Sequence, residues 1–375
     1  MIYLDSAATS YLKPPAVGEA VRRAIQSCAS PGRGTHAAAM RGADLVYSCR
    51  ELAASFFRVP EPDRIVFTLN ATHALNLAIR SLVKPGMRVA VSGYEHNAVM
   101  RPLYAVGAEI VMARTPLFDP EAVLDFFRQE LPRCGAAVCT HVSNVFGFVQ
   151  PIEEIARLCR SEGVPLIVDA AQSAGILDID FTSLGAAFIA MPGHKGLLGP
   201  QGTGLLLCGH DTEPLLYGGT GSMSERREMP DFLPDRLEAG TLNVCGIAGL
   251  REGLCYLRQR GLASVRSQEE LLMKRMLRQF SDIPGVCLFA GEGDTQLGVL
   301  SLTAEGMGSE KLSELLGRQG IAVRAGLHCA PLAHKTGGTL ETGTVRFSLS
   351  PFNSTWEIDR AADILKKIIK KSNKL

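Results

Sequence analysis

The chain has 375 residues, 46% of them hydrophobic and 21% charged, a balance that can bury a sizeable core and excludes a disordered polypeptide. Its 39 Lys and Arg against 38 Asp and Glu give a net charge of +1, so no electrostatic footprint for nucleic acid or an anionic membrane is visible. The opening Met1-Ile2-Tyr3-Leu4-Asp5 has no leader character, and the ten cysteines are scattered singly, with no Cys-x-x-Cys pair. No stretch approaches the roughly 18 apolar residues of a membrane span. A cytoplasmic protein with reduced thiols, no metal site and no membrane contact is expected.

The apolar runs 64–69, 88–92, 109–113, 136–142, 165–169, 186–191 and 204–208 read as strands. Helix-length patterns at 72–83, 121–131 and 152–161 separate several of them. Continuous Val/Ile/Leu runs alternating with helices predict an α/β fold with a mostly parallel sheet covered on both faces. Ligands in such sheets sit beyond the carboxyl ends of the strands. The segment 216–238, rich in Gly, Pro and charge, is the longest irregular stretch, and loops of that length are often functional. From about residue 256 the texture changes. Helical segments at 263–280 and 309–319 bracket strands at 298–303, 321–324 and 344–349, as in a smaller α+β domain. The last helix ends in Lys366, Lys367, Lys370 and Lys371, cations that complement a helix C-terminus and read as a solvated end.

Three of the strand ends carry complementary chemistry. The run Pro165–Val168 closes in Asp169, and a carboxylate ending a buried strand is costly unless it meets a cation. The run 186–191 is followed by Pro192-Gly193-His194-Lys195, which puts a lysine among small residues. Upstream, Thr68-Leu69-Asn70-Ala71-Thr72 lies between strand and helix and offers free amides and hydroxyls to an anion. A lysine for a Schiff base, an Asp for a pyridinium nitrogen and a helix start for a phosphate are what pyridoxal phosphate requires. Taken singly, a strand-end Asp is more often a helix cap and a Gly-flanked Lys a loop residue; the case rests on the three together. His96, in Tyr94-Glu95-His96-Asn97, reads either as a stacking partner for such a ring or as a helix-start histidine.

Nearly the whole chain, from Leu4-Asp5-Ser6-Ala7-Ala8-Thr9 to Val345-Arg346-Phe347-Ser348, resembles the class V aminotransferase superfamily, specifically the NifS/SufS-like cysteine desulfurases and selenocysteine lyases. The most specific pieces are Val168-Asp169-Ala170-Ala171-Gln172, Gly193-His194-Lys195, Glu238-Ala239-Gly240-Thr241 and Arg324-Ala325-Gly326-Leu327-His328-Cys329-Ala330. The resemblance implies a fold-type-I transferase dependent on pyridoxal phosphate. Its mostly parallel seven-stranded sheet would lie in a large domain, 16–255, beside a smaller α+β domain made of 1–15 plus 256–375.

Position by position, the resemblance makes Lys195 the Schiff-base lysine and pairs Asp169 with the pyridine nitrogen. Gln172 then hydrogen-bonds the ring oxygen, His96 stacks on the ring, and Asn144 lies near that oxygen and the substrate. Ala71 and Thr72 take the phosphate, Thr241 reaches it from the other subunit of a homodimer, and Arg346 grips the substrate carboxylate, a bidentate task suited to guanidinium. Without the resemblance, Arg346 reads equally as an ion pair on an edge strand. Pro192 stands where the family often carries Ser and brings neither hydroxyl nor N–H, which leaves His194, Thr241 and the segment 217–222 as further phosphate donors.

Cys329 decides the reaction. With nine other cysteines in the chain, a buried small hydrophobe is the default role for a thiol. Cys329, however, follows a strand beside Arg324 and His328 in a Gly-containing loop, and nearby cations favour the nucleophilic thiolate. His328 reads as a proton-transfer partner or as a hydrogen bond within the loop. The resemblance implies a cysteine desulfurase that converts L-cysteine to L-alanine with a persulfide on Cys329, handed to a sulfur-acceptor protein, as in iron–sulfur cluster assembly. Rival readings are a lyase acting on L-selenocysteine, another class V reaction (transamination or epimerisation) with Cys329 structural, and a scaffold without turnover. A nucleotide-binding dehydrogenase is disfavoured because no G-x-G-x-x-G follows a strand.

Overall fold

The computed structural model describes residues 1–32 and 34–372. A short β1 (Ile2–Tyr3) leads through extended chain to α1 (Pro15–Ser27) and the long α2 (Ala37–Phe57). Strands and helices then alternate: β2 (Ile65–Thr68), α3 (Ala71–Leu82), β3 (Arg88–Val91), α4 (Asn97–Val106), β4 (Glu109–Met112) and α5 (Pro120–Glu130). They continue with β5 (Ala136–Thr140), α6 (Ile152–Glu162), β6 (Leu166–Asp169), the one-turn α7 (Phe181–Leu184), β7 (Phe188–Pro192) and β8 (Gly204–Cys208). Residues 209–243 hold neither helix nor strand. The remainder is α8 (Val244–Arg260), α9 (Leu262–Ser281), β9 (Val286–Phe289), β10 (Val299–Ala304), α10 (Ser309–Arg318), β11 (Ile321–Ala322), β12 (Arg324–Gly326), α11 (Pro331–Thr336), β13 (Thr344–Ser348) and α12 (Thr355–Ser372).

The main sheet has seven strands in the order β2-β8-β7-β6-β5-β3-β4. β8 runs antiparallel to both neighbours and every other pairing is parallel, giving the mostly parallel α/β architecture expected. Strands β2, β5, β6, β7 and β8 are buried at every position, which is why they read as unbroken apolar runs. Helices α3 and α4 cover one face through Leu75, Ile79 and Leu103. The other face lies under α2, α5, α6 and α8 through Phe57, Phe127, Ile155 and Leu254. Side chains of this size each contribute about 1.5–3 kcal/mol when fully buried.

A second sheet, β12-β13-β10-β9, is wholly antiparallel. It shares a core with α9, α10 and α12 that includes Phe280, Leu302, Leu312, Phe347 and Leu365. The strand expected over 321–324 is two strands: β11 pairs in parallel with β1, while β12 joins β13, so the chain changes sheets at Val323. In consequence the first ten residues belong to the far end of the chain. Ser348 donates its amide to the Leu4 carbonyl, and Ser10 donates to the carbonyl of His194. The N-terminal segment thus runs from the small sheet to the turn that carries Lys195.

Candidate active site

The carboxyl ends of β2, β5, β6 and β7 open onto a cavity of about 210 Å³. Asp169, the last residue of β6, is 3% exposed and lines it. Burial raises the pKa of its carboxyl, opposed by the Ala171 amide, which donates to Oδ1 at 2.9 Å, and by Lys195. Lys195 enters the same cavity from the turn after β7. That turn lies hard against the neighbouring loop: Gly175 has φ +87°, and a Cβ there would sit 2.3 Å from the Gly196 carbonyl oxygen, so only glycine fits. Burial pushes the Lys195 amine down to about 8, with Asp169 opposing the shift and Arg346 and Arg324 adding to it.

The N-terminus of α3 borders the cavity through Asn70, Ala71 and Thr72. Asn70 caps the helix, its Oδ1 accepting the His73 amide at 2.9 Å, and first-turn amides of a helix this long favour an anion. His96 also lines the cavity while capping α4: its Nδ1 accepts the Ala98 amide at 3.0 Å, leaving the ring proton on Nε2. Burial and the nearby Lys195 hold it down to about 4, so the ring is neutral at neutral pH. Gln172 donates to the Ala7 carbonyl at 3.1 Å, and His194 Nδ1 lies 3.0 Å from Thr9 Oγ1. Both line the cavity, as do Asn144 and Pro192.

Asn144 joins this cavity to the remaining residues. Its carbonyl accepts from Arg346 Nη1 at 2.9 Å, and its Nδ2 donates to the His328 carbonyl at 2.8 Å. Arg346, on β13 and 2% exposed, lies behind Asn144 rather than on the cavity wall. Its Nη2 meets Asp5 Oδ1 at 3.0 Å, and its buried Nε has no partner among the described residues. Arg324 is its register neighbour across β12 and β13.

Cys329 sits in a tight turn in which His328 and Cys329 have φ of +48° and +57°, a conformation costing about 1–2 kcal/mol for a residue with a Cβ. The turn is tied to the start of α4, since the Asn97 amide donates to the Cys329 carbonyl at 2.8 Å. Of the ten cysteines, only Cys287 and Cys329 are exposed. The His328 ring turns inward, its Nε2 3.1 Å from Thr344 Oγ1 and its ring 5.6 Å from that of His334. Burial lowers its pKa, and the hydrogen bond to Thr344 anchors the loop.

Within one chain Thr241 is exposed and is not brought to the cavity. The loop bearing it is anchored three residues earlier. Glu238 accepts the Phe67 amide at 2.7 Å and both ends of the Arg50 guanidinium at 3.0 and 2.9 Å, with both side chains buried.

Three acidic residues escape the sequence reading. Asp5 lies in a quoted motif, yet nothing local shows that it meets Arg346. Glu95 is fully buried between β3 and β5, where Ser92 and the Thr140 amide donate to Oε1 at 2.5 and 2.8 Å, and burial pushes it up to about 8. Glu269 on α9 is likewise pushed up to about 8 by burial. It lines a second, smaller cavity of about 40 Å³ on the other side of Lys195, together with Ser6. Among the described residues no cluster of three metal-ligating side chains occurs, and no helix is long and apolar enough to cross a membrane.

The Aminotransferase class-V family model matches residues 2–361, and the chain belongs to that family, whose enzymes generally work with pyridoxal phosphate. It is 33% identical to a probable cysteine desulfurase of Methanothermobacter thermautotrophicus, over 98% of this chain and 94% of that one. Identity to a probable cysteine desulfurase of Pyrococcus abyssi is 30%, over 99% and 94%. Among solved structures, the apo cysteine desulfurase of Thermococcus onnurineus NA1 superposes with a TM-score of 0.90 at 29% identity, covering 99% of this chain and 95% of the other.

Proposed function

We propose that this chain is a pyridoxal-phosphate-dependent cysteine desulfurase that converts L-cysteine to L-alanine and takes the sulfur onto Cys329 as a persulfide. The observation that carries the reading is the tether of an exposed cysteine, through Asn144 and Asn97, to a cavity holding a buried carboxylate, a lysine of lowered pKa and a helix N-terminus. That donor set fits pyridoxal phosphate: α3 with Ala71, Thr72 and His194 for the phosphate, Asp169 for the pyridine nitrogen, Gln172 and Asn144 for the ring oxygen, and His96 against the ring. Thr241 would complete the phosphate site from the second subunit of a homodimer. The same reading divides the chain into a large unit, 16–255, and a small one, 1–15 with 256–375, in the cytoplasm.

When bound, the cofactor supplies a covalent anchor for the substrate amine and a sink for the electrons at Cα. Lys195, with its amine largely deprotonated above pH about 8, takes the Cα proton and later returns it. Arg346 receives the substrate carboxylate on its unpartnered Nε side. The Cys329 thiolate attacks the substrate sulfur: an S–S bond forms, the Cβ–S bond breaks with its electron pair left on carbon, and protonation gives alanine.

The test is alanine release from L-cysteine and from L-selenocysteine by wild type and Cys329→Ala, once the cofactor spectrum is in place. The reading requires alanine from L-cysteine that disappears in the variant. Turnover of L-cysteine at the wild-type rate by Cys329→Ala would refute the persulfide step, and alanine from L-selenocysteine alone would make the protein a selenocysteine lyase.

A further inference from the structure

The large sheet changes direction beside the cavity. β3 and β5 are neighbours, yet β3 leads to β4 through α4 on one face and β5 leads to β6 through α6 on the other. Connections that leave in opposite directions open a crevice at the carboxyl ends of their strands. Here the crevice strands an amide. β5 pairs with β3 only as far as Val138 and Val91, so Thr140 has no strand beside it on that side. A buried amide without a partner costs about 1–3 kcal/mol.

Glu95 fills the gap. Fully buried, it accepts the Thr140 amide at 2.8 Å and the Ser92 hydroxyl at 2.5 Å, both on Oε1. The Ser92 oxygen in turn accepts the Tyr94 amide at 3.2 Å, which folds the loop on itself. The next residue is His96, on the cavity wall, and after it the Asn97 amide donates to the Cys329 carbonyl. His96 is thereby held between an anchor on β5 and an anchor on the Cys329 turn.

The charge state of that carboxyl follows from its surroundings. The titratable groups that bear on it are Asp169 on β6 and Cys139 on β5, and no cation pairs with it among the described residues. Its second oxygen, Oε2, is buried without a hydrogen-bond partner. Ionised, Glu95 would hold that oxygen out of water with no donor, within reach of a second carboxylate. The protonated acid escapes both penalties, and burial raises its pKa in the same sense, to about 8.

We propose that Glu95, as the neutral acid, is a positioning residue that fixes His96 against the cofactor ring and leaves the negative charge behind the pyridine nitrogen to Asp169. The inference rests on the reading of the cavity as a pyridoxal phosphate site. A further negative charge there would oppose the gathering of electrons in the ring, which is what the cofactor contributes.

Glu95→Gln keeps the acceptor and cannot ionise, whereas Glu95→Asp keeps the acid but is one methylene too short to reach both donors. The infrared difference between wild type and Glu95→Gln, taken on cofactor-free protein at neutral pH, should contain a protonated-carboxyl stretch. Loaded with pyridoxal phosphate, Glu95→Gln should match wild type in cofactor dissociation constant and in visible circular dichroism per bound cofactor, the signal of a ring held from one side. Glu95→Asp should bind the cofactor about tenfold more weakly and lose most of that signal. Urea unfolding of the cofactor-free variants checks that they fold; if Glu95→Asp does not, the infrared band and Glu95→Gln still decide. An ionised-carboxylate band in place of the acid, a Glu95→Gln as impaired as Glu95→Asp, or full dichroism in Glu95→Asp overturns the proposal and leaves the cofactor reading intact. A wild type that takes up no pyridoxal phosphate would instead remove that reading, and the proposal with it.

Discussion

Asp5 and Arg346, 341 residues apart in the chain, meet at 3.0 Å, and the same guanidinium donates its Nη1 to the Asn144 carbonyl. Two of its nitrogens are thereby fixed by the protein and Nε is left over. On the proposed reading, in which Arg346 takes the substrate carboxylate, Asp5 is a positioning residue, because a charge-assisted hydrogen bond of this kind is worth about 1.5–3 kcal/mol. Asp5→Asn keeps the shape and removes the charge. We expect KM for L-cysteine to rise about tenfold, the equivalent of about 1.4 kcal/mol, with kcat changing much less. Steady-state kinetics check this, and an unchanged KM would show that Arg346 is held by Asn144 alone.

The Arg50–Glu238 pair predicts a stability effect. Both side chains are buried, and Glu238 also accepts the Phe67 amide. Removing one member leaves an uncompensated charge, so Glu238→Gln should cost about 3–5 kcal/mol in urea unfolding. Arg50→Met/Glu238→Leu should lose less than the single variant, since it strands no charge.

Lys195 predicts a pH dependence of cofactor capture. Its amine is lowered from 10.5 to about 8, so at pH 7 about one amine in ten is already neutral and nucleophilic. With cofactor-free protein, the rate of reaction with pyridoxal phosphate should climb through pH about 8 and then level. Stopped-flow absorbance measures it. A rate still rising steeply near 10.5 would mean that the amine is not desolvated.

Glu269 predicts an inverted pH effect on stability. Its carboxyl is raised from 4.5 to about 8, so between those values the folded state holds a proton that the unfolded chain has released. Stability contributed by the neutral acid is therefore fully present below about 4.5 and is lost as pH rises toward about 8. Glu269→Gln, neutral throughout, should gain on wild type over that interval, by an amount read from denaturant midpoints at several pH values. Parallel curves would mean that Glu269 is ionised in the folded protein.

Much of the large sheet was legible because five of its strands, β2, β5, β6, β7 and β8, are buried at every position and so read as mainly apolar runs. Strand β9 was not, since Val286–Phe289 is only partly covered and carries no such run. The division of 321–326 between two sheets was equally silent, because it depends on β1, which has no local signature. In the site, Asp169, Lys195 and the start of α3 stood out by their position at strand ends. Glu95 did not: next to His96 it looks like any loop carboxylate, and only burial between β3 and β5 sets it apart. Arg346 and Cys329 could be named from motifs, but their links to Asp5, Asn97 and Asn144 are made by the fold alone.

The threading of the N-terminal segment also bears on how the molecule is made. β1 has no partner until β11 exists, and Asp5 has none until Arg346 has been synthesised. On a ribosome, which releases the N-terminus first, β1 must wait for more than four-fifths of the chain, and Asp5 for more than nine-tenths, before these partners exist. Closing so long a loop is slow. The large sheet can therefore form well ahead of the substrate clamp, and a nascent chain halted short of β13 would carry the lysine and the aspartate of the site but be unable to assemble it.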